Sequence, residues 1–536
     1  MIKFLLQPPE QLKEKTRIVI VGAGVAGLSA AYRLIKVHGF KNVVILEATD
    51  RIGGRVHQMK LDDHTFLSLG PDHIEGQIGN PLYEFAKEAG ALREDDLKKS
   101  TATRFLTAKG CSIAQSTRRK FSSLVSKMQQ RLKTTKIEDL EFPSIGQFYE
   151  EQFEQAIENE DADQVDELLS MFNIFHRQTT EQFSAEDWTE LSFRQWTRAR
   201  VFHGISEVAV KEDGFHRMLN RLLEVVPRSS IKLNSPVESI LFTEKGFGAT
   251  LEDGTFEPAN HVIVTCSLGF LKEHHTTMFQ PNLPPEKQEA IEKLGFATME
   301  RVFLIYDDPF WDSSTEQRAV FVRRDGCSAE ADQESDLSKI FYKFEAHPGN
   351  ADVLIATISG EDPHILDEAT DEEILAAATE AIRLYTASSN LPEPAFVVRS
   401  KWLSDPYFLG THSYYSTDSD SIKNPFEDLS APLLVTRHGI KVPLVLFAGE
   451  ATHPSFFGTT HGAAITGLRE AHRLNVYYQA LITASKKANP SQGRNPFARR
   501  ATAKPIQTTT KQFDPLRDLV GGLKETLERL FNRGTG

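Results

Sequence analysis

Arg17-Ile-Val-Ile-Val21-Gly22-Ala-Gly24-Val-Ala26-Gly27 is the stretch whose reading decides the fold. Ile18 to Val21 is a continuous apolar run, as in a strand buried on both faces between parallel neighbours. Leu28 to Val37 reads as a helix, with Ala30, Ala31, Leu34 and Ile35 on one face. Val43 to Leu46 is a second buried strand, and Glu47 ends it twenty residues after Gly27. Gly22 allows a tight turn out of the first strand. Gly24 lets the backbone approach a pyrophosphate, and Gly27 lets helix and strand pack closely. The helix N-terminus offers unpaired N–H groups and the positive end of its dipole to the phosphates. The Glu47 carboxylate can accept hydrogen bonds from a ribose diol. A lone GxGxxG is weak evidence, but one set between strand and helix and closed by an acid is strong. The fold class is therefore α/β, with a Rossmann-like dinucleotide site that does not by itself separate NAD from FAD.

The next residues make that separation. Glu47-Ala-Thr-Asp-Arg51-Ile-Gly53-Gly54-Arg55-Val resembles the second FAD signature of the flavin amine oxidase family, and the chain is most similar to its polyamine oxidases. The resemblance implies that Arg51, Gly53, Gly54 and Arg55 line the pyrophosphate and the approach to the flavin. Arginines beside a doubly negative pyrophosphate would make charge-assisted bonds.

The resemblance recurs to about residue 480. Leu69-Gly70-Pro71-Asp72-His73-Ile-Glu75-Gly76 looks like the segment that runs along the flavin towards the substrate. Asp213-Gly214-Phe215 and Val237-Glu-Ser-Ile240 resemble the return to the FAD domain, with the Val237 backbone at the adenine. Val262 to Leu271 resembles the strand and loop that lead to the second domain. Trp402, with Asp405-Pro-Tyr407 and Gly410, resembles the aromatic segment beside the flavin ring. The most specific block is Leu446-Phe-Ala-Gly449-Glu450-Ala-Thr452-His453, then Gly458-Thr459-Thr460-His461-Gly462-Ala463 and Gly467-Leu-Arg-Glu-Ala. Glu450 is expected near the ribityl and pyrophosphate part. A helix starting near Gly462 would face the flavin pyrimidine with its N–H groups. This block has no cysteine where monoamine oxidases attach their flavin, so the resemblance implies noncovalent FAD.

The order of the blocks predicts two interleaved domains. Residues 14–90, 205–290 and 440–484 form the FAD-binding domain. Residues 91–204 and 291–439 form an α+β, sheet-plus-helices substrate domain, with long helices around Phe153 to Phe175. Residues 485–514 read as a flexible linker, poor in groups to bury. In 515–532, Leu516, Leu519, Val520, Leu523, Leu527, Leu530 and Phe531 fall at helical spacing. Such an amphipathic helix docks on its own protein, on a partner or on a membrane surface.

Four positions bear on chemistry. Glu75 sits where mammalian polyamine oxidases carry a histidine and plant ones a glutamate, and with Asp72 it could hold an ammonium. Phe457, next to Phe456, sits where many polyamine oxidases have a tyrosine of the aromatic pair flanking the amine. Trp402 is expected to pack against the flavin. Arg301 in Leu294 to Leu304 replaces the family's lysine, which holds a water near flavin N5. His73 replaces the usual tryptophan. The resemblance implies an FAD-dependent amine oxidase acting on polyamines or acetylated polyamines, with hydride transfer to flavin and O2 as acceptor. Its products are an aldehyde, an amine and H2O2. Two alternatives stand beside it: a catalytically impaired FAD-binding scaffold, which the arginine at 301 favours, or an oxidase of another amine such as an amino acid or a histone lysine.

Composition narrows the partners. The net charge of −13, from 61 basic and 74 acidic residues, argues against nucleic-acid binding and suits a cationic substrate. No apolar stretch is long enough for a transmembrane helix. No metal-ligand cluster is evident. The three cysteines, Cys111, Cys266 and Cys327, are odd in number and far apart. That spacing predicts no disulfide framework, and a reducing, cytoplasmic location.

Overall fold

The computed structural model describes residues 9–93, 103–109, 111–135, 142–183, 185–194, 198–243, 246–311, 318–324, 326–386, 388, 390–437 and 440–488. The linker and amphipathic helix read at 485–532 lie outside these residues beyond position 488.

The apolar runs become the centre of a six-stranded sheet. Its order is Leu433–Arg437, Ile440–Phe447, His261–Val264, Arg17–Val21, Asn42–Leu46 and Ile231–Lys232. The five strands from Ile440–Phe447 to Ile231–Lys232 are parallel, and Leu433–Arg437 is an antiparallel edge. Ile18, Val19, Ile20, Val262 and Ile263 are completely buried, which is why these strands carry no polar alternation. Three stretches of chain far apart in sequence build one sheet, so the chain leaves it and returns twice.

The helix after the first strand is α-helical over Val25–Tyr32 and continues as a π-helical turn over Arg33–Val37. It crosses the long helix Thr460–Ala488, which runs past the expected boundary at 484. At the crossing a Cβ on Gly467 would stand 2.1 Å from the Ala26 carbonyl oxygen. Only glycine permits that approach.

A second six-stranded sheet has the order Phe396–Arg399, Glu300–Ile305, Val353–Ile358, Lys343–Ala346, Arg318–Phe321 and Thr103–Leu106. Helices Gln115–Thr134, Ile145–Ile157 and Ala162–Phe183 accompany it. Their shared core is aromatic, with Phe153 stacked on Phe172 at 4.0 Å and Tyr149 stacked on Trp188. The last two helices are separate, Ile145–Ile157 ending before Ala162–Phe183, and at the break Asp161 accepts a bond from Gln164 N.

Cys111 and Cys327 are joined in a disulfide, contrary to the sequence-based expectation. The reason is topological. Thr103–Leu106 pairs in parallel with Arg318–Phe321, so the segments that follow both strands leave the sheet on the same side. A separation of 216 residues hides this in the sequence. The bond also removes the premise on which a reducing compartment was expected. Cys266 is free.

Candidate active site

One cavity of about 1870 Å³ runs from the glycine turn to the second sheet. At the end by the glycine turn lie Gly22, Gly24, Val25 and Ala26. Gly24 is the N-cap of Val25–Tyr32, with no side-chain cap and no acidic residue in the first turn. The helix therefore turns uncovered N–H groups and its positive end into the cavity. Gly27 does not line the cavity; a Cβ there would stand 2.1 Å from Gly22 O, so it serves the packing of helix on strand. Glu47 is 6% exposed and closes its strand. Its carboxylate accepts from Ala23 N at 2.6 Å and from Thr49 N at 3.0 Å. Val237 and Cys266 lie on the same part of the wall. Burial pushes the Cys266 thiol up to about 12, with Glu47 adding to it.

Gly53, Gly54 and Arg55 also line the cavity. Arg51 does not. Its guanidinium donates to Gly54 O at 2.7 Å and braces the glycine turn from behind. Arg55 faces inward and pairs with Glu450 at 3.0 Å. Glu450, 5% exposed, also accepts from Gly458 N at 2.7 Å and from the Ser413 hydroxyl. Gly449, Glu450, Thr459 and Thr460 line this region, and the helix behind them begins at Thr460 rather than Gly462. Thr459 Oγ1 accepts from Gly462 N.

Another part of the cavity wall is built on a two-stranded ribbon. His73–Glu75 pairs antiparallel with Glu207–Ala209, so that His73 faces Ala209 and Glu75 faces Glu207 across the pair. Gly70, Pro71 and Asp72 lead into the ribbon along the same wall. Arg301 reaches them from Glu300–Ile305. It donates to Ser68 O at 3.1 Å and to Gly70 O at 3.4 Å, and it pairs with Asp72 Oδ2 at 2.6 Å. Arg301 is thus spent on protein acceptors, a different task from that of a lysine holding water. The second Asp72 oxygen meets His73 Nδ1 at 2.7 Å. The free surface of Asp72 and Glu75 opens into the cavity, with protein around it. Burial favours a protonated Asp72, yet the charges of Arg301 and His73 hold it well below the ordinary carboxylate range. For Glu75, burial together with Glu207 outweighs the His73 charge, and the carboxyl is raised.

Trp402 is 4% exposed, and its indole N–H donates to Leu69 O at 2.9 Å. It packs edge-on against Phe408 and borders the cavity. Phe457 also borders it, stacked on Phe426 and edge-on to Tyr415. Phe456 stacks instead on Phe202 at 4.4 Å.

The comparisons with known proteins meet this geometry. The family described as flavin containing amine oxidoreductase matches residues 25–475. This chain belongs to the flavin-containing amine oxidoreductases. It is 32% identical over 490 residues to a human peroxisomal N(1)-acetyl-spermine/spermidine oxidase, covering 85% of this chain and 94% of that protein. It is 29% identical to a probable polyamine oxidase 5 of Arabidopsis thaliana, over 87% of this chain and 99% of that one. A redesigned putrescine oxidase shares the fold at a TM-score of 0.60 and 18% identity, covering 85% of this chain and 98% of that structure.

The cofactor of this amine oxidoreductase is FAD, and the residues present fit it. The cavity exceeds the roughly 300–1,000 Å³ of an ordinary ligand pocket, so a dinucleotide and a second molecule can share it. Gly24 leaves open space, its nearest neighbours lying 4.0 Å from a would-be Cβ. The uncapped helix end and Arg55 are donors that would suit phosphates, and the Glu47 carboxylate is an acceptor that would suit a ribose diol. Sequence reasoning missed Ser413, which fixes Glu450, and Glu207, which sets a second carboxyl group across from Glu75. The signal for Glu207 is a strand pairing between distant segments, which no local pattern encodes. Among the described residues no group of histidine, cysteine, aspartate and glutamate is arranged to hold a metal, and no helix is long and apolar enough to cross a membrane.

Proposed function

We propose that this FAD-dependent amine oxidase acts on polyamines or acetylated polyamines, using O2 and releasing an aldehyde, a shortened amine and hydrogen peroxide. The observation that carries the reading is the Glu75–Glu207 pair on the cavity wall. Two carboxylates opposite one another attract an ammonium and disfavour an anionic or purely apolar substrate. Two other acids on the wall are already engaged: Glu181 and Glu345 pair with Lys343, and Glu345 also with Arg318. The Phe457 face offers a cation an attractive surface and leaves a neutral amine undisturbed. The names of the human and Arabidopsis relatives point to the same substrates.

Bound FAD supplies the hydride acceptor and passes the electrons to O2. The chain's own part is to orient and to hold charge. Glu75 and Glu207 draw the cationic chain to the ribbon, and Arg301 fixes the ribbon's entry through Ser68, Gly70 and Asp72. Trp402 and Phe457 exclude water from the reacting carbon. The flavin is held noncovalently on this reading. Cys266 is the cavity's cysteine, and it lies at the Glu47 end as a buried thiol.

The test is the visible spectrum of the purified protein under anaerobic addition of spermine, spermidine or their acetylated forms. Flavin bands that bleach, and return on admitting air, are expected. Flavin bands that none of these amines bleaches would refute the substrate reading.

A further inference from the structure

His73 stands where two acids need a cation. On the ribbon it shares a face with Glu75, because alternate residues of a strand point the same way, and the intervening Ile74 is buried in the opposite direction. Glu207 lies across the pair from Glu75. Like charges directly opposite on paired strands destabilise them, and a cavity wall screens them poorly. Asp72 holds His73 Nδ1 at 2.7 Å, and Arg301 holds Asp72 from behind. That clamp fixes the ring and leaves Nε2 as the nitrogen turned away from Asp72.

We propose that His73 is the resident cation of the amine site and that it gives up its Nε2 proton when the ammonium of a polyamine binds beside Glu75 and Glu207. The Nε2–H bond breaks, its electron pair stays on nitrogen, and the proton passes to solvent. The Nδ1 proton remains on the bond to Asp72. Charge at the site is conserved, since one cation leaves as another arrives. The proposal rests on the amine-oxidase reading given above.

The surrounding charges support it. Burial alone would lower the His73 imidazole. Its bond to Asp72 and the charges of Asp72, Glu207 and Glu75 outweigh that and push it up to about 9. Arg301 from Glu300–Ile305 is paired with Asp72, the charge of Arg318 from Arg318–Phe321 acts on Glu207 and on its partner Glu345, and His347 lies beside Arg301 and Asp72. An incoming ammonium adds a positive charge to this set and lowers the affinity of His73 for its proton.

The experiment uses the holoenzyme and a linear alkane carrying a guanidinium at each end. A guanidinium keeps its proton beyond about pH 12, so any proton released on binding comes from the protein. Calorimetric titrations in buffers of different ionisation enthalpy count that proton. About one proton is expected at about pH 7.5, with release fading as pH rises through about 9. In His73→Gln, binding is expected to persist without release. In Asp72→Asn, the release moves to lower pH, and this variant serves if His73→Gln fails to retain flavin. Binding without release in the wild type, or release that survives in His73→Gln, would overturn the proposal alone. A holoenzyme that neither binds the bis-guanidine nor is bleached by any polyamine would overturn the amine reading with it.

Discussion

Glu75 stands directly across the ribbon from Glu207, and both carboxylates open into the cavity. Removing either charge leaves the fold intact, since both side chains are solvent-accessible within the cavity. Glu75→Gln and Glu207→Gln are each expected to raise KM for spermine by about 10- to 100-fold, the loss of one charge–charge contact of roughly 1–3 kcal/mol. The kcat changes little. The double variant loses less than the product of the two, because the acids act on one ammonium. Steady-state kinetics at fixed O2 measures this; a KM that does not move in either variant counts against the pair.

Gly24 and Gly27 separate binding from folding. Gly24 has φ −71° and open space beside it, so Gly24→Val is expected to fold yet purify without flavin, its side chain filling the phosphate approach. Gly27→Ala sets a methyl 2.1 Å from Gly22 O and is expected to cost about 1–3 kcal/mol of stability by overpacking. Melting curves and the flavin-to-protein absorbance ratio tell the two effects apart.

Glu450 gathers Arg55, Ser413 and the Gly458 amide at a site 5% exposed. Glu450→Ala leaves Arg55 without its anion and the amide without its acceptor. A loss of about 2–4 kcal/mol is expected, somewhat under the figure for a fully buried pair because Arg55 borders the cavity. Chemical denaturation of the flavin-free protein gives the number, and unchanged stability would show that the network is idle.

Glu300 is 2% exposed beside Arg301. Burial pushes its carboxyl up to about 7, against bonds from Ser400 and the Leu403 and Trp402 amides. The folded state therefore keeps a proton that the unfolded chain loses near pH 4.5. The stabilising contribution is fully present below about pH 4.5 and is lost as pH rises through about 7, up to roughly 3 kcal/mol. Glu300→Gln is expected to match the wild type near pH 5 and to exceed it at pH 8 in unfolding experiments. Parallel pH curves for the two proteins would refute the assignment.

The Cys111–Cys327 bond predicts one thiol titratable in denaturant before reduction and three after it, Cys266 being free. Cys111→Ser with Cys327→Ser is expected to lower stability by about 2–4 kcal/mol. Three thiols in the unreduced protein would refute the pairing.

The sequence alone determined the parts whose information is local. The parallel strands were legible because burial on both faces demands uninterrupted apolar runs, as in Ile18–Val21 and Val262–Val264. The glycine turn and Glu47 were legible because strand, glycine turn, helix and closing acid follow one another in a local pattern, and the Gly449–Ala463 block because its residue pattern resembles that of a known family. Tertiary structure decided what depends on pairing between distant segments. It set Glu207 against Glu75, spent Arg301 on Asp72 and two carbonyls, turned Arg51 to the back of its own turn, and joined Cys111 to Cys327. A side chain's type fixes which bonds it can make. Its partners are fixed only when strands find their neighbours, and that choice is made by the whole core rather than by any window of the chain.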